Sequence, residues 1–183
     1  MIRGPAMKRV FLLVVATLAL AGCKIPDDSG SALPGAGGTG TEAEARTFLE
    51  QFLKSDTNKH ALSLRLEPQP EDYAAYFDDK ALDKARTWYQ HAWSTHRLTI
   101  HGEKDETELQ LFQMTSDELK AGADSVKKFP ASYARVADVV KPGITIYGFK
   151  FVKPGQTEGT EYDGLVFVNG HWALFPKPFH AIR

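Results

Sequence analysis

Cysteine is almost missing from this chain: Cys23 is the single one in 183 residues. No intramolecular disulfide, dithiol redox pair or thiolate metal cluster can therefore be built. An excess of positive charge is also missing. With 22 Lys and Arg against 23 Asp and Glu, the chain carries a formal charge of -1 and lacks the basic footprint of a nucleic-acid binder. The N-terminal apolar stretch, Val10 to Ala21, falls short of the ~20 residues a membrane-spanning helix needs. There is no G-x-S-x-G elbow, no phosphate-cradling G-x-x-x-x-G-K-[ST] loop and no H-E-x-x-H pair. No cofactor is called for, and stability must come from an apolar core.

What is present begins with an address. Arg3, Lys8 and Arg9 precede the apolar stretch, the order of charge and hydropathy in an export signal, whether translation starts at Met1 or Met7. Leu20-Ala21-Gly22-Cys23 then resembles the lipobox of bacterial lipoproteins. That resemblance implies a signal peptide over residues 1–22, removal before Cys23, and acylation of Cys23 by diacylglycerol and a fatty acid such as palmitate. The membrane is thus an expected partner through a lipid anchor, in the bacterial cell envelope. Within that family an Asp after the cysteine retains the protein at the inner membrane. Lys24 stands there instead, which points to the outer membrane facing the periplasm.

Without residues 1–22 the chain has 19 basic and 23 acidic residues, a formal charge of -4. Lys24 to Thr41 contains no aromatic residue and many Gly, Ser and Pro, so residues 23–41 read as a lipidated cysteine on a flexible tether, with a mean reach of roughly 20 to 25 Å. Gly35-Ala36-Gly37-Gly38-Thr39-Gly40 matches the dinucleotide fingerprint in letters only, because no strand precedes it. Residues 42–183 form one domain.

The domain starts on a capping box, Thr41 with Glu44, followed by a helical stripe of Ala45, Phe48, Leu49, Phe52 and Leu53. Gln69-Pro70-Glu71 starts a second helix carrying Tyr73, Tyr76 and Phe77, and Asp78-Asp79 caps a third that runs to Trp93. The period then changes. Strands are expected at Leu98–Ile100, Thr107–Met114, Ile144–Lys153, Thr160–Val168 and His171–Phe175, the last two joined by a type I' turn at Asn169-Gly170. A second capping box, Thr115 with Glu118, and a helical stretch near Tyr133–Val139 interrupt them. Helices followed by mostly antiparallel strands define an α+β fold.

The element order, with a hairpin reading Tyr162-Asp163-Gly164-Leu165-Val166-Phe167-Val168-Asn169-Gly170-His171-Trp172 and a Phe175-Pro176-Lys177-Pro178-Phe179 tail, resembles the NTF2-like, SnoaL-like or cystatin-like cone: N-terminal helices packed on a curved sheet around a pocket. The resemblance implies several activities. One is a noncatalytic module binding a small apolar ligand or an envelope protein. Another is an isomerase, cyclase or hydrolase with an Asp base, and a third is a structural module that forms a homodimer. Asp163, Tyr76 and His101 are the candidate catalytic residues; Trp88, Tyr147 and Tyr162 are the candidate ligand-binding ones. Asp163-Gly164 also reads as a β-bulge, and Tyr and Trp at helical spacing as core.

His91, His96 and His101 recur every five residues, but five residues turn a helix by about 500°, so neighbouring histidines point apart and no metal site is expected. His171 and His180 are read as surface residues. Replacing Cys23 with Ala is expected to end metabolic labelling by radioactive palmitate and to leave the protein uncleaved or soluble; unchanged labelling would contradict the lipobox reading.

Overall fold

The computed structural model describes residues 38–95 and 98–183. The expected export signal, Cys23, the expected tether as far as residue 37, and His96 lie outside the described residues. Among the described residues no helix is long and apolar enough to cross a membrane.

Capping chemistry places the helices where the sequence expects them. Thr41 and Glu44 close a capping box at α1 (Glu42–Leu49), and a 3-10 turn over Glu50–Leu53 prolongs it, burying Ala45, Phe48, Leu49 and Phe52. α3 (Pro70–Tyr76) starts on Pro at its first position, and Asp78 caps α4 (Asp79–Ser94) by accepting from the Lys80 and Ala81 N–H groups. Two helices were not expected. α2 (Lys59–Leu64) sits in the polar break, where Asn58 accepts from the Ala61 N–H at 3.0 Å, and α6 (Pro178–Ala181) sits in the tail. Both are too short to print a periodic stripe.

Four strands form one antiparallel meander in the order β1 (Glu108–Thr115), β2 (Thr145–Val152), β3 (Gly159–Val168) and β4 (His171–Leu174). Between β1 and β2 come α5 (Ser116–Ala121), started by the Thr115–Glu118 capping box, and 3-10 turns at Asp124–Lys128 and Ala131–Val136. The architecture is therefore α+β. The strand expected at Leu98–Ile100 does not form. Its backbone bonds side chains instead of a ladder, the Ile100 N–H donating to Ser63 Oγ at 2.9 Å.

Strand alternation gives the sheet two apolar faces. Tyr147, Phe149 and Phe151 share one with Leu165, and Phe52 meets Phe151 there at 6.4 Å between centroids. On the other, Phe112 packs edge-on against Phe129 at 5.0 Å, and Tyr133 reaches Asp163. Beyond β4, Phe175 is fully buried among Tyr73, Tyr76, Phe77 and Tyr89, stacked on Tyr76 at 4.8 Å and edge-on to the others. Each such ring pair adds about 0.5–1.5 kcal/mol to what burial supplies, so this cluster fastens the C-terminal segment to α3 and α4.

Two backbone features position the site. Tyr147 pairs with Leu165 but Gly148 with Asp163, so Gly164 is the extra residue of a β-bulge, as its sequence suggested. Its φ is +84°, and a Cβ there would collide with the Phe175 carbonyl, so only glycine fits. At the β3–β4 turn Asn169 and Gly170 both have positive φ, as a type I' turn requires. Fully buried Asp72 accepts from the Asn169 amide at 2.8 Å and pairs with His171 Nε2 at 3.0 Å, pinning this hairpin to α3.

Residues 39 and 40 are bonded to the domain. The Tyr147 hydroxyl donates to the Gly40 carbonyl at 2.8 Å, and the Thr39 N–H bonds Glu44, so the packed domain begins near residue 38.

Candidate functional site

β4 is short. Its ladder with β3 covers only Leu165–Val168, so among the described residues the first half of β3 has no strand on its outer side. Side chains take that place: Glu106 Oε1 accepts from the Thr160 N–H at 2.8 Å, and the Tyr162 hydroxyl accepts from the His101 N–H and donates to the His101 carbonyl, at 3.0 and 2.8 Å. A partly enclosed cavity of about 190 Å³ remains between this edge, α4 and the chain leaving β4. Trp88, Leu98, Ile100, Leu174 and Pro176 give it apolar walls; Thr99, Glu161, Tyr162, Asp163 and Lys177 add polar groups.

Asp163 is the buried charge among them, 4 % exposed. Its Oδ1 accepts two hydrogen bonds, from the Tyr133 hydroxyl at 2.8 Å and from the Lys177 N–H at 2.7 Å. Oδ2 carries no hydrogen bond among the described residues, and Asp163 lines the cavity. Lys177 holds its N–H in place from a left-handed backbone conformation, φ 49°, which is uncommon for a side-chain-bearing residue. Glu161, at the exposed rim, is committed to Lys150 at 3.0 Å.

Burial raises the Asp163 carboxyl above its ordinary value, and the bonds from Lys177 and Tyr133 to the ionised form only partly offset this. Around it the hydroxyls of Tyr76, Tyr89 and Tyr133 are all pushed up, foremost by burial and further by the Asp163 charge. The site thus holds one carboxylate in a setting of neutral phenols.

Three of the sequence candidates converge: Asp163, Trp88 and Tyr162 line the same cavity. The others do not. Tyr76 is fully buried, its hydroxyl without a hydrogen-bond partner among the described residues, and its ring belongs to the Phe175 cluster. The His101 side chain is exposed, with its ring nitrogen Nδ1 3.3 Å from the Thr99 carbonyl, and its backbone serves only to lock Tyr162. Tyr147 lies elsewhere, edge-on to Trp172 at 5.6 Å. Among the described residues no three His, Cys, Asp or Glu side chains are grouped to hold a metal ion. His91 and His180 lie instead in a shallow surface groove with Trp88 and Arg183, and His171 is half-buried against Asp72.

Tyr133 and Lys177 are the site residues that sequence reasoning missed. Tyr133 lies in a 3-10 turn too short for a period to aim its side chain, and nothing in a lysine announces a left-handed backbone. Pro178 was the one usable signal, since proline one position into a helix marks Lys177 as its N-cap.

No family model, no curated protein and no solved structure matches this chain.

An acid whose folded-state pKa is raised penalises the native state above that pKa, and the penalty is lost as pH falls through it toward the unfolded value, about 3.9. Asn at position 163 retains an oxygen for Tyr133 and Lys177 but does not titrate. The stability of the wild type relative to Asp163→Asn, from urea midpoints, should therefore rise as pH is lowered from 7 toward 4. The comparison isolates Asp163, because Tyr76, Tyr89, Tyr133, Lys177 and Glu161 around it are common to both proteins. A relative stability that falls with pH would show a carboxylate stabilised, not penalised, by its surroundings.

Proposed function

We propose that this chain is an envelope lipoprotein, anchored through Cys23, whose NTF2-like domain binds a small, largely apolar ligand without transforming it. The observation that carries this reading is the cavity with its apolar walls and one buried acceptor, Asp163 Oδ2. A cavity of about 150 Å³ is enough for benzene, so the volume here suits a ring or short branched body with one polar group. Sites of this make-up bind by burying apolar surface and orient by a few convergent polar atoms.

Asp163 as a general base is the second reading, favoured by its buried position and by the available oxygen. Catalysis of that kind needs a second group to stabilise developing charge. The Tyr162 hydroxyl is used in both directions by His101 and the Tyr133 hydroxyl donates to Asp163 itself, which leaves Thr99 and the exposed Lys177 as the other polar wall groups. This distribution of hydrogen bonds supports binding over turnover.

Cyclohexanol, soluble and of suitable size, provides the test. Titrated into the detergent-solubilised full chain, it should quench or shift the emission of Trp88 and raise the melting temperature, and Leu98→Trp, which fills the cavity, should abolish the rise. Melting curves indifferent to cyclohexanol in both proteins would contradict a binding cavity.

A further inference from the structure

The proposed binding reading leaves the chemical class of the ligand open, and the inference here rests on that reading. Three features of the cavity bear on it. First, its buried charge is the Asp163 carboxylate, with Oδ1 saturated by Tyr133 and Lys177 and Oδ2 without a donor. A carboxylate has acceptor sites only, and one that is ionised gains most from a charged donor. Second, Trp88 and Tyr162 are both on the wall. Tyr162 stacks one ring face on Phe149 at 5.3 Å, which leaves its other face turned away from that ring. Aromatic faces attract cations through the ring quadrupole. Third, the rim carries one charge of each sign, and the Lys177 charge is felt at Asp163. Glu161 is paired with Lys150, and Lys177 is exposed and forms no ion pair with Asp163 or Glu161 among the described residues. An anion entering would meet the Asp163 carboxylate; a neutral donor such as a hydroxyl would give Oδ2 a weaker hydrogen bond than a charged one.

We infer that the cavity between α4, the β3 edge and Pro176–Lys177 is a site for a compact organic ammonium, whose N–H donates to Asp163 Oδ2 while its apolar body lies against Trp88, Ile100 and Leu174. Thr99 supplies a further neutral acceptor on the same wall. A body no larger than a six-membered ring fits the volume given above.

Three probes of one shape and different charge decide the matter: cyclohexylammonium, cyclohexanol and cyclohexanecarboxylate, each titrated into the full chain at pH 7 with Trp88 emission and melting temperature as readouts. The expected order is ammonium, then alcohol, then carboxylate, with the ammonium at least about tenfold tighter than the alcohol, the worth of one charge-assisted hydrogen bond. In Asp163→Asn that preference should drop to about twofold or less. Cyclohexanol binding as well as the ammonium would overturn the inference and leave the cavity reading standing, and tighter binding of the carboxylate would overturn it in favour of Lys177. Binding of none of the three would defeat both. The order in the wild type is decisive alone, so the test survives if Asp163→Asn fails to fold.

Discussion

One carboxylate oxygen joins three distant parts of this chain. Asp163 Oδ1, on β3, takes its hydrogen bonds from Tyr133, in the turn between β1 and β2, and from the backbone of Lys177, past the end of the sheet. Burying a carboxylate is costly unless donors meet it, and two donors only partly offset the cost here, which is why its pKa is raised. The bulge at Gly164 is part of the same arrangement: it brings the Phe175 N–H onto the Gly164 carbonyl at 2.8 Å and seats Phe175 in the aromatic cluster. Pro176 and Lys177 are thereby held as one wall of the cavity.

The cavity follows from a sheet edge that is covered without being paired. An open edge invites pairing with another chain, and proteins cover it with loops and side chains. The segment from Leu98 to Glu106 does this for the first half of β3, through Tyr162 and Glu106, while standing far enough from Asp163 to leave room. Fold and site are thus two consequences of β4 ending after four residues.

Local chemistry was legible in the sequence wherever it is carried by residues with narrow preferences. The capping boxes at Thr41 and Thr115, proline at the start of α3, the Asn169-Gly170 turn and the Gly164 bulge all lie where their letters place them. Short elements without periodicity were not legible, which cost α2 and α6. Leu98 and Ile100 alternate like a strand, but the backbone here bonds side chains, Ile100 to Ser63 and His101 to Tyr162, a tertiary choice no local pattern encodes. Of the candidate site, Asp163 and Tyr162 were found because they place a carboxylate beside aromatic rings in one strand, and Trp88 because it stands on an aromatic helix face. Tyr76 and Tyr147 were included for the same aromatic character, and only packing separates core rings from wall rings.

The account turns on a buried, ionisable Asp163 that receives a ligand. The direct measurement is the titration of its side-chain carboxyl carbon by ¹³C NMR in the full chain, free and saturated with cyclohexylammonium. The account predicts a midpoint above the ordinary aspartate value in the free protein, falling when the cation is bound. A midpoint at or below the ordinary value, unmoved by the cation, would contradict it.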